Sequence, residues 1–207
     1  MSRSSLASAA PFVVFVGVAS ALGGCASSQP NATSPPPGPR PGAETQVIRV
    51  PSRDGTLIAI ECAGRGPSLI MVHGGIGDRT RWTPMIPLLS SRFTACAMDR
   101  RGHGASGDSP DYTLQKEAED AAAVVNSRPG TVFLLGHSYG GVAALEAAFL
   151  TERISKLVLY EPPVQDHVDP GVIDRIEKMI RAGEREQAVV TFLREVVKVS
   201  QGEVEAM

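Results

Sequence analysis

The stretch Gly136-His137-Ser138-Tyr139-Gly140-Gly141 constrains this chain more than any other. It lies between an apolar, β-branched run at 131–135 and an alanine-rich helical run at 142–150. Strand, Gly-x-Ser-x-Gly and helix in that order lay out an elbow, in which a serine sits on a strained turn with its hydroxyl clear of the sheet. Gly136 and Gly140 mark the places where strand and helix pass too closely for a Cβ. The helix that follows aims its first N–H groups at the point where negative charge develops in acyl transfer. With 21 glycines in 207 residues the bare pattern is weak evidence by itself. Its position between a strand and a helix gives it weight.

The formal net charge of −2 and the absence of a basic block exclude nucleic acid as a partner. Residues 1–24 read as a signal peptide of lipoprotein type. Arg3 opens a short n-region, and the apolar stretch 9–22 is too short, and too interrupted by Pro11 and Gly17, to span a bilayer. It ends in Leu22-Gly23-Gly24-Cys25, which resembles the lipobox of bacterial lipoproteins. That resemblance implies that Cys25 becomes the lipidated first residue of the mature chain. The protein would then be a membrane-anchored lipoprotein of the bacterial cell envelope, facing the periplasm or the exterior. A plain signal peptide or a retained anchor is the alternative.

Residues 25–44 read as a tether. Pro30, Pro35, Pro36, Pro37, Pro39 and Pro41, interleaved with Ser, Asn and Gly, favour an extended spacer over a packed core. A spacer behind a lipid anchor holds the folded part, from 45 onward, off the membrane surface. Cys62 and Cys96 each fall in a predicted strand among apolar neighbours. They read as two buried free thiols, small hydrophobes in effect, with a disulfide between them as the alternative. No C-x-x-C or histidine cluster occurs, so neither a metal site nor a cofactor is expected.

From 46 the chain alternates strand and helix. Strands are predicted at 46–50 and 56–62, joined by a turn containing Asp54-Gly55, and then at 68–72, 93–98, 131–135 and 154–160. Helices are predicted at 81–90, kinked or broken near Pro84 and Pro87, at 114–127 with Leu114, Ala118, Ala121, Ala122 and Val125 on the apolar side, and at 142–150. This order implies an α/β fold with a mostly parallel sheet covered on both faces. Ligands in such sheets bind at the carboxyl ends of the strands. His73, Asp99, Ser138 and Glu161 all lie just past strand ends, so a single rim would collect them.

Four segments in order then carry a family resemblance: His73-Gly74-Gly75, Asp99-Arg100-Arg101-Gly102-His103-Gly104-Ala105-Ser106, the serine elbow, and Tyr160-Glu161-Pro162-Pro163. Over roughly residues 46 to 200 the chain resembles the α/β-hydrolase superfamily, of serine-hydrolase type. The resemblance implies nucleophile Ser138, an oxyanion hole from the backbone N–H groups of Gly75 and Tyr139, and a small ester, lactone or amide substrate. His73, His103 and His137 are read as structural residues that shape their turns. Trp82 and Tyr139 either line a pocket or belong to the core.

A serine needs a histidine to take its proton and an acid to orient that histidine, and the family's chain order is Ser, acid, His. After Ser138 the chain offers only His167, preceded by Glu146, Glu152, Glu161 and Asp166. Glu161, at a strand end, is the candidate acid and His167 the candidate base. Beyond the core at 45–163 the sequence turns helical, at 172–182 and 184–200, and residues 164–207 resemble part of the family's cap. The strands on which that family carries its acid and histidine are not expected here. The leading expectation is therefore the N-terminal part of a serine hydrolase with an incomplete triad. A complete enzyme with the unorthodox triad Ser138-Glu161-His167, and a non-catalytic lipoprotein binding module, are the alternatives.

Overall fold

The computed structural model describes residues 47–163 and 168–202. The signal segment, Cys25, the tether and His167 lie outside the described residues. Six strands form one sheet: β1 (Val47–Pro51), β2 (Leu57–Gly64), β3 (Ser68–Val72), β4 (Thr94–Met98), β5 (Val132–His137) and β6 (Ile154–Tyr160). Their spatial order is β1-β2-β4-β3-β5-β6. The first two pairings are antiparallel and the other three parallel. The β1–β2 turn forms as its sequence requires. Asp54 Oδ1 accepts from Thr56 N–H at 3.0 Å, and Gly55 takes φ +87°, open to glycine at no steric cost.

Alternation along the strands divides the core between two faces. Ile70 and Val72 of β3, Cys96 and Met98 of β4, and Val132 and Leu134 of β5 point to one face. There they meet α2 (Leu114–Ser127) and α3 (Tyr139–Ala147) through Ala121, Val124, Val125, Ala144 and Ala147. Leu69, Met71, Ala95 and Ala97 point to the other face. They pack under Trp82, Ile86 and Leu89, which come from a 3-10 turn at Arg79–Trp82 and the short α1 (Ile86–Leu89). Helical cover on both sides explains why β3 is buried along its whole length.

Three local expectations are corrected. The predicted helix at 81–90 is a 3-10 turn followed by a single helical turn, because Pro84 and Pro87 each remove a backbone donor. The serine-bearing turn is tighter than expected, and α3 begins at Tyr139 instead of 142. Cys62 and Cys96 are joined by a disulfide, not held as free thiols. The antiparallel β2–β4 register sets them directly opposite one another, with Cα atoms 4.0 Å apart.

The chain divides into two compact units at Pro163 and Val164. In the second unit, α4 (Pro170–Arg181) starts on Asp169, whose Oδ1 accepts from Gly171 N–H at 3.0 Å, with Pro170 in the first turn. Gly183, at φ +82°, separates it from α5 (Arg185–Thr191). The helix predicted over 184–200 is interrupted. A π-helical turn follows at Phe192–Val196, and Lys198 takes φ +64°. Among the described residues no helix is long and apolar enough to cross a membrane.

Candidate active site

Because β4, β3, β5 and β6 run parallel side by side, the residues that follow them emerge at one edge of the sheet. His73 follows β3, Asp99 follows β4, Ser138 follows β5 and Glu161 follows β6. Ser138 links β5 to α3 with φ +52° and ψ −128°, a conformation L-residues rarely adopt. The surrounding bonds hold it there. Its N–H donates to Tyr160 O at 2.9 Å, and its carbonyl accepts from Gly141 N–H at 2.7 Å. The flanking glycines allow the fit. A Cβ on Gly136 would sit 2.4 Å from Gly140 O, and one on Gly140 would sit 2.2 Å from His73 O. The Ser138 side chain is half-buried and makes no hydrogen bond to the described residues.

The loop after β3 passes beside this serine. A Cβ on Gly74 would lie 3.1 Å from Ser138 Cβ and 3.3 Å from His137 Nδ1, whereas one on Gly75 would meet nothing within 4 Å. Two backbone donors stand free at this place. Gly75 N–H donates to no protein acceptor among the described residues, and neither does Tyr139 N–H, the first of α3. Helix N-termini leave such donors open and carry a partial positive charge.

The three described histidines are each engaged structurally. His73 is 1 % exposed. Its Nε2 accepts from Arg100 N–H at 3.1 Å, which places the proton on Nδ1, and Nδ1–H donates to Gly74 O at 2.8 Å. Burial, with Arg100 and His103 adding positive charge nearby, pushes the His73 imidazole down to about 4 despite its bond to Gly74. His103 bonds Gly77 O through Nδ1 at 2.9 Å and meets His73 edge-on at 5.1 Å. His137 stacks on Tyr160 at 5.2 Å. Its protonation is lowered by burial, with Glu161 acting in the opposite direction. Glu161 is exposed, takes φ +50°, and bonds no histidine among the described residues.

Behind the site lie charged groups to which sequence reasoning gave no role. Asp99 is fully buried and accepts from Arg79 N–H, Arg79 Nη1 and Ala105 N–H, each at 2.7 Å. Arg101 and Asp120 form a pair with both side chains at 0 % exposure, and Arg101 Nη1 also donates to Asp54 at 3.0 Å. Arg100 pairs with buried Glu117, Nε to Oε2 at 2.5 Å and Nη2 to Oε1 at 2.8 Å. It also donates through Nη2 to Tyr112 OH at 2.9 Å and through Nη1 to Gly74 O at 2.7 Å. Its guanidinium carbon stands 4.7 Å from the centre of the Tyr139 ring. Burial and Glu117 push the Tyr112 phenol up to about 12, so it stays protonated and donates to Glu117. Two acids among the alanines of α2, three residues apart, facing two consecutive arginines at a strand end, were the available signal. Among the described residues no cluster of three His, Cys, Asp or Glu could hold a metal ion.

Known proteins share this architecture. A crystal structure of an α/β hydrolase from Sphaerobacter thermophilus superposes with TM-score 0.71 at 38% identity, covering 77% of this chain and 64% of that one. A thermophilic esterase from Thermogutta terrifontis superposes with TM-score 0.58 at 28% identity, covering 68% and 54%. Pimeloyl-(acyl-carrier protein) methyl ester esterase of Nitrosomonas europaea is 36% identical over 103 residues, 49% of this chain and 40% of that protein. The probable oxidoreductase EphD of Mycobacterium tuberculosis is 31% identical over 138 residues, 62% of this chain and 23% of that protein. The chain thus spans less than two thirds of each of these relatives. A model of the alpha/beta hydrolase family matches residues 69–202, and the chain belongs to that family.

Proposed function

We propose that this chain carries the nucleophile and oxyanion hole of a serine hydrolase acting on a small ester, lactone or amide. Ser138 Oγ attacks the carbonyl carbon, and the N–H groups of Gly75 and Tyr139 receive the oxygen as it becomes negative. One observation carries the reading. Ser138 is held in a strained, elbow-like backbone beside two N–H groups that have no acceptor among the described residues. Donors fixed in advance on developing charge lose no reorganisation energy at the moment of reaction. Relatives named as esterases support an ester as substrate. Glu161 and His167 are the acid and base that chain order supplies.

The test is hydrolysis of p-nitrophenyl butyrate by the wild type, Ser138→Ala and His167→Ala, with fluorophosphonate labelling in parallel. Turnover and labelling that vanish in Ser138→Ala support the nucleophile. Retained labelling in His167→Ala removes that histidine as the base. A pocket that binds ester yet shows no Ser138-dependent turnover would make this a binding module.

We also propose that Cys25 is lipidated and holds the domain at the bacterial cell envelope. The Cys62–Cys96 disulfide supports an oxidising compartment. Radiolabelled palmitate should enter the wild type and not Cys25→Ala, and equal labelling of both rejects the anchor.

A further inference from the structure

We propose that Arg100 is the positioning residue of the oxyanion hole, fixing the peptide between Gly74 and Gly75 so that its N–H is offered to substrate. The inference rests on the reading of Ser138 as nucleophile with Gly75 as a donor. Its geometric core is the trans peptide. No cis bond occurs among the described residues, and in a planar trans unit the C=O and the following N–H point in opposite directions. The Gly74 carbonyl is held at two points, by Arg100 Nη1 at 2.7 Å and by His73 Nδ1–H at 2.8 Å. Gly75 N–H is therefore turned away from the guanidinium, on a residue whose own surroundings are open.

In a loop of two consecutive glycines the backbone itself does little to fix that plane, because glycine adopts a wide range of φ and ψ at little cost, so the two bonds to the Gly74 carbonyl must do it. Arg100 is itself anchored on every side. Glu117 binds it through two oxygens, Tyr112 OH accepts a third bond, and its own backbone N–H holds His73 Nε2. The same guanidinium packs on the ring of Tyr139, whose backbone N–H is the second donor. One planar, permanently charged fork thus reaches both halves of the hole, which a lysine ammonium cannot do.

The experiment compares the wild type with Arg100→Met/Glu117→Leu and with Arg100→Lys. The double variant removes both charges together, so no buried carboxylate is left unpaired, while Arg100→Lys keeps a cation opposite Glu117 without the fork. Each is checked for folding by its melting transition, then read in two ways. The first is p-nitrophenyl butyrate turnover. A donor displaced by roughly 1 Å should lower kcat about 10²-fold, with KM changed by less than about threefold. The second is the Gly75 amide resonance, which should move or broaden while those of Ile70 and Met98 stay in place. A folded variant with wild-type kcat and an unmoved Gly75 amide overturns the proposal. If the wild type shows no Ser138-dependent turnover, the hydrolase reading fails. The Gly75 amide then decides the role of Arg100 alone.

Discussion

Gly140→Ala is the smallest change that should disturb the site from beneath. The added methyl would lie 2.2 Å from His73 O, 2.8 Å from Val72 O and 2.9 Å from His73 C, all backbone atoms at the end of β3. Carbon–oxygen contacts settle at about 3.3–3.6 Å, so α3 and the His73–Gly75 loop must separate by roughly 1 Å. No flexible side chain is available to yield, and overpacking of this kind costs about 1–3 kcal/mol. In a domain of this size that is a fall in melting temperature of roughly 2–12 °C. The same separation moves Gly75 N–H relative to Ser138, and about 1 Å of misplacement lowers turnover about 10²-fold. Gly75→Ala is the internal control for the thermal melts alone, since a Cβ there meets nothing within 4 Å and no positive φ is involved. Thermal melts and Ser138-dependent ester turnover should fall together in Gly140→Ala. A melting temperature within 1 °C of wild type would refute the close-approach reasoning.

Further outcomes follow from other parts of the molecule. Gly75→Val should leave the melting temperature unchanged yet lower turnover roughly 10²–10³-fold, because the branched side chain blocks the carbonyl's approach to that N–H, equivalent to losing one oxyanion donor. His73 is neutral when folded, with its protonation lowered from 6.5 to about 4. The unfolded chain therefore binds more protons between those values, and stability falls as pH drops through the window, by about 3 kcal/mol in all. Urea midpoints across pH 7 to 4 and the His73 imidazole resonance, which should not titrate above pH 5, check this. Arg101→Met leaves Asp120 buried without its partner and should cost about 3–5 kcal/mol, much of it recovered in Arg101→Met/Asp120→Leu, by urea denaturation. Opening the Cys62–Cys96 bridge, whose ends are 34 positions apart in sequence, should lower stability by about 3–4 kcal/mol in Cys62→Ala/Cys96→Ala.

Periodicity and punctuation made most of the framework legible. Predicted and observed limits coincide for β3, α2 and β6, where apolar pattern and capping agree; Thr113 Oγ1, for instance, accepts from Lys116 N–H at 3.2 Å to start α2. The elbow was legible because steric exclusion leaves glycine alone at 136 and 140, and sequence records that directly. What was hidden depends on long-range pairing. The disulfide follows from a β2–β4 register that no local pattern encodes. The ion pairs of Arg100 and Arg101 place acids on the sheet-facing side of α2, where an amphipathic reading expects only apolar residues.

The strand order also sets a timetable for synthesis. β3, wholly buried and apolar, is the third strand made, yet it ends in the interior between β4 and β5. Its second neighbour begins at Val132, paired with Ser68 and 64 residues later (132 − 68). At about 5–20 residues per second on the ribosome, Ser68–Val72 waits roughly 3–13 s for that partner to be polymerised. During that interval the nascent chain displays a sticky β-strand with open edges, the kind of surface that chaperones hold and neighbouring polypeptides capture. Slower translation over residues 73–131 should lengthen the wait and lower the soluble yield, whereas mutations confined to the α4–α5 unit should not.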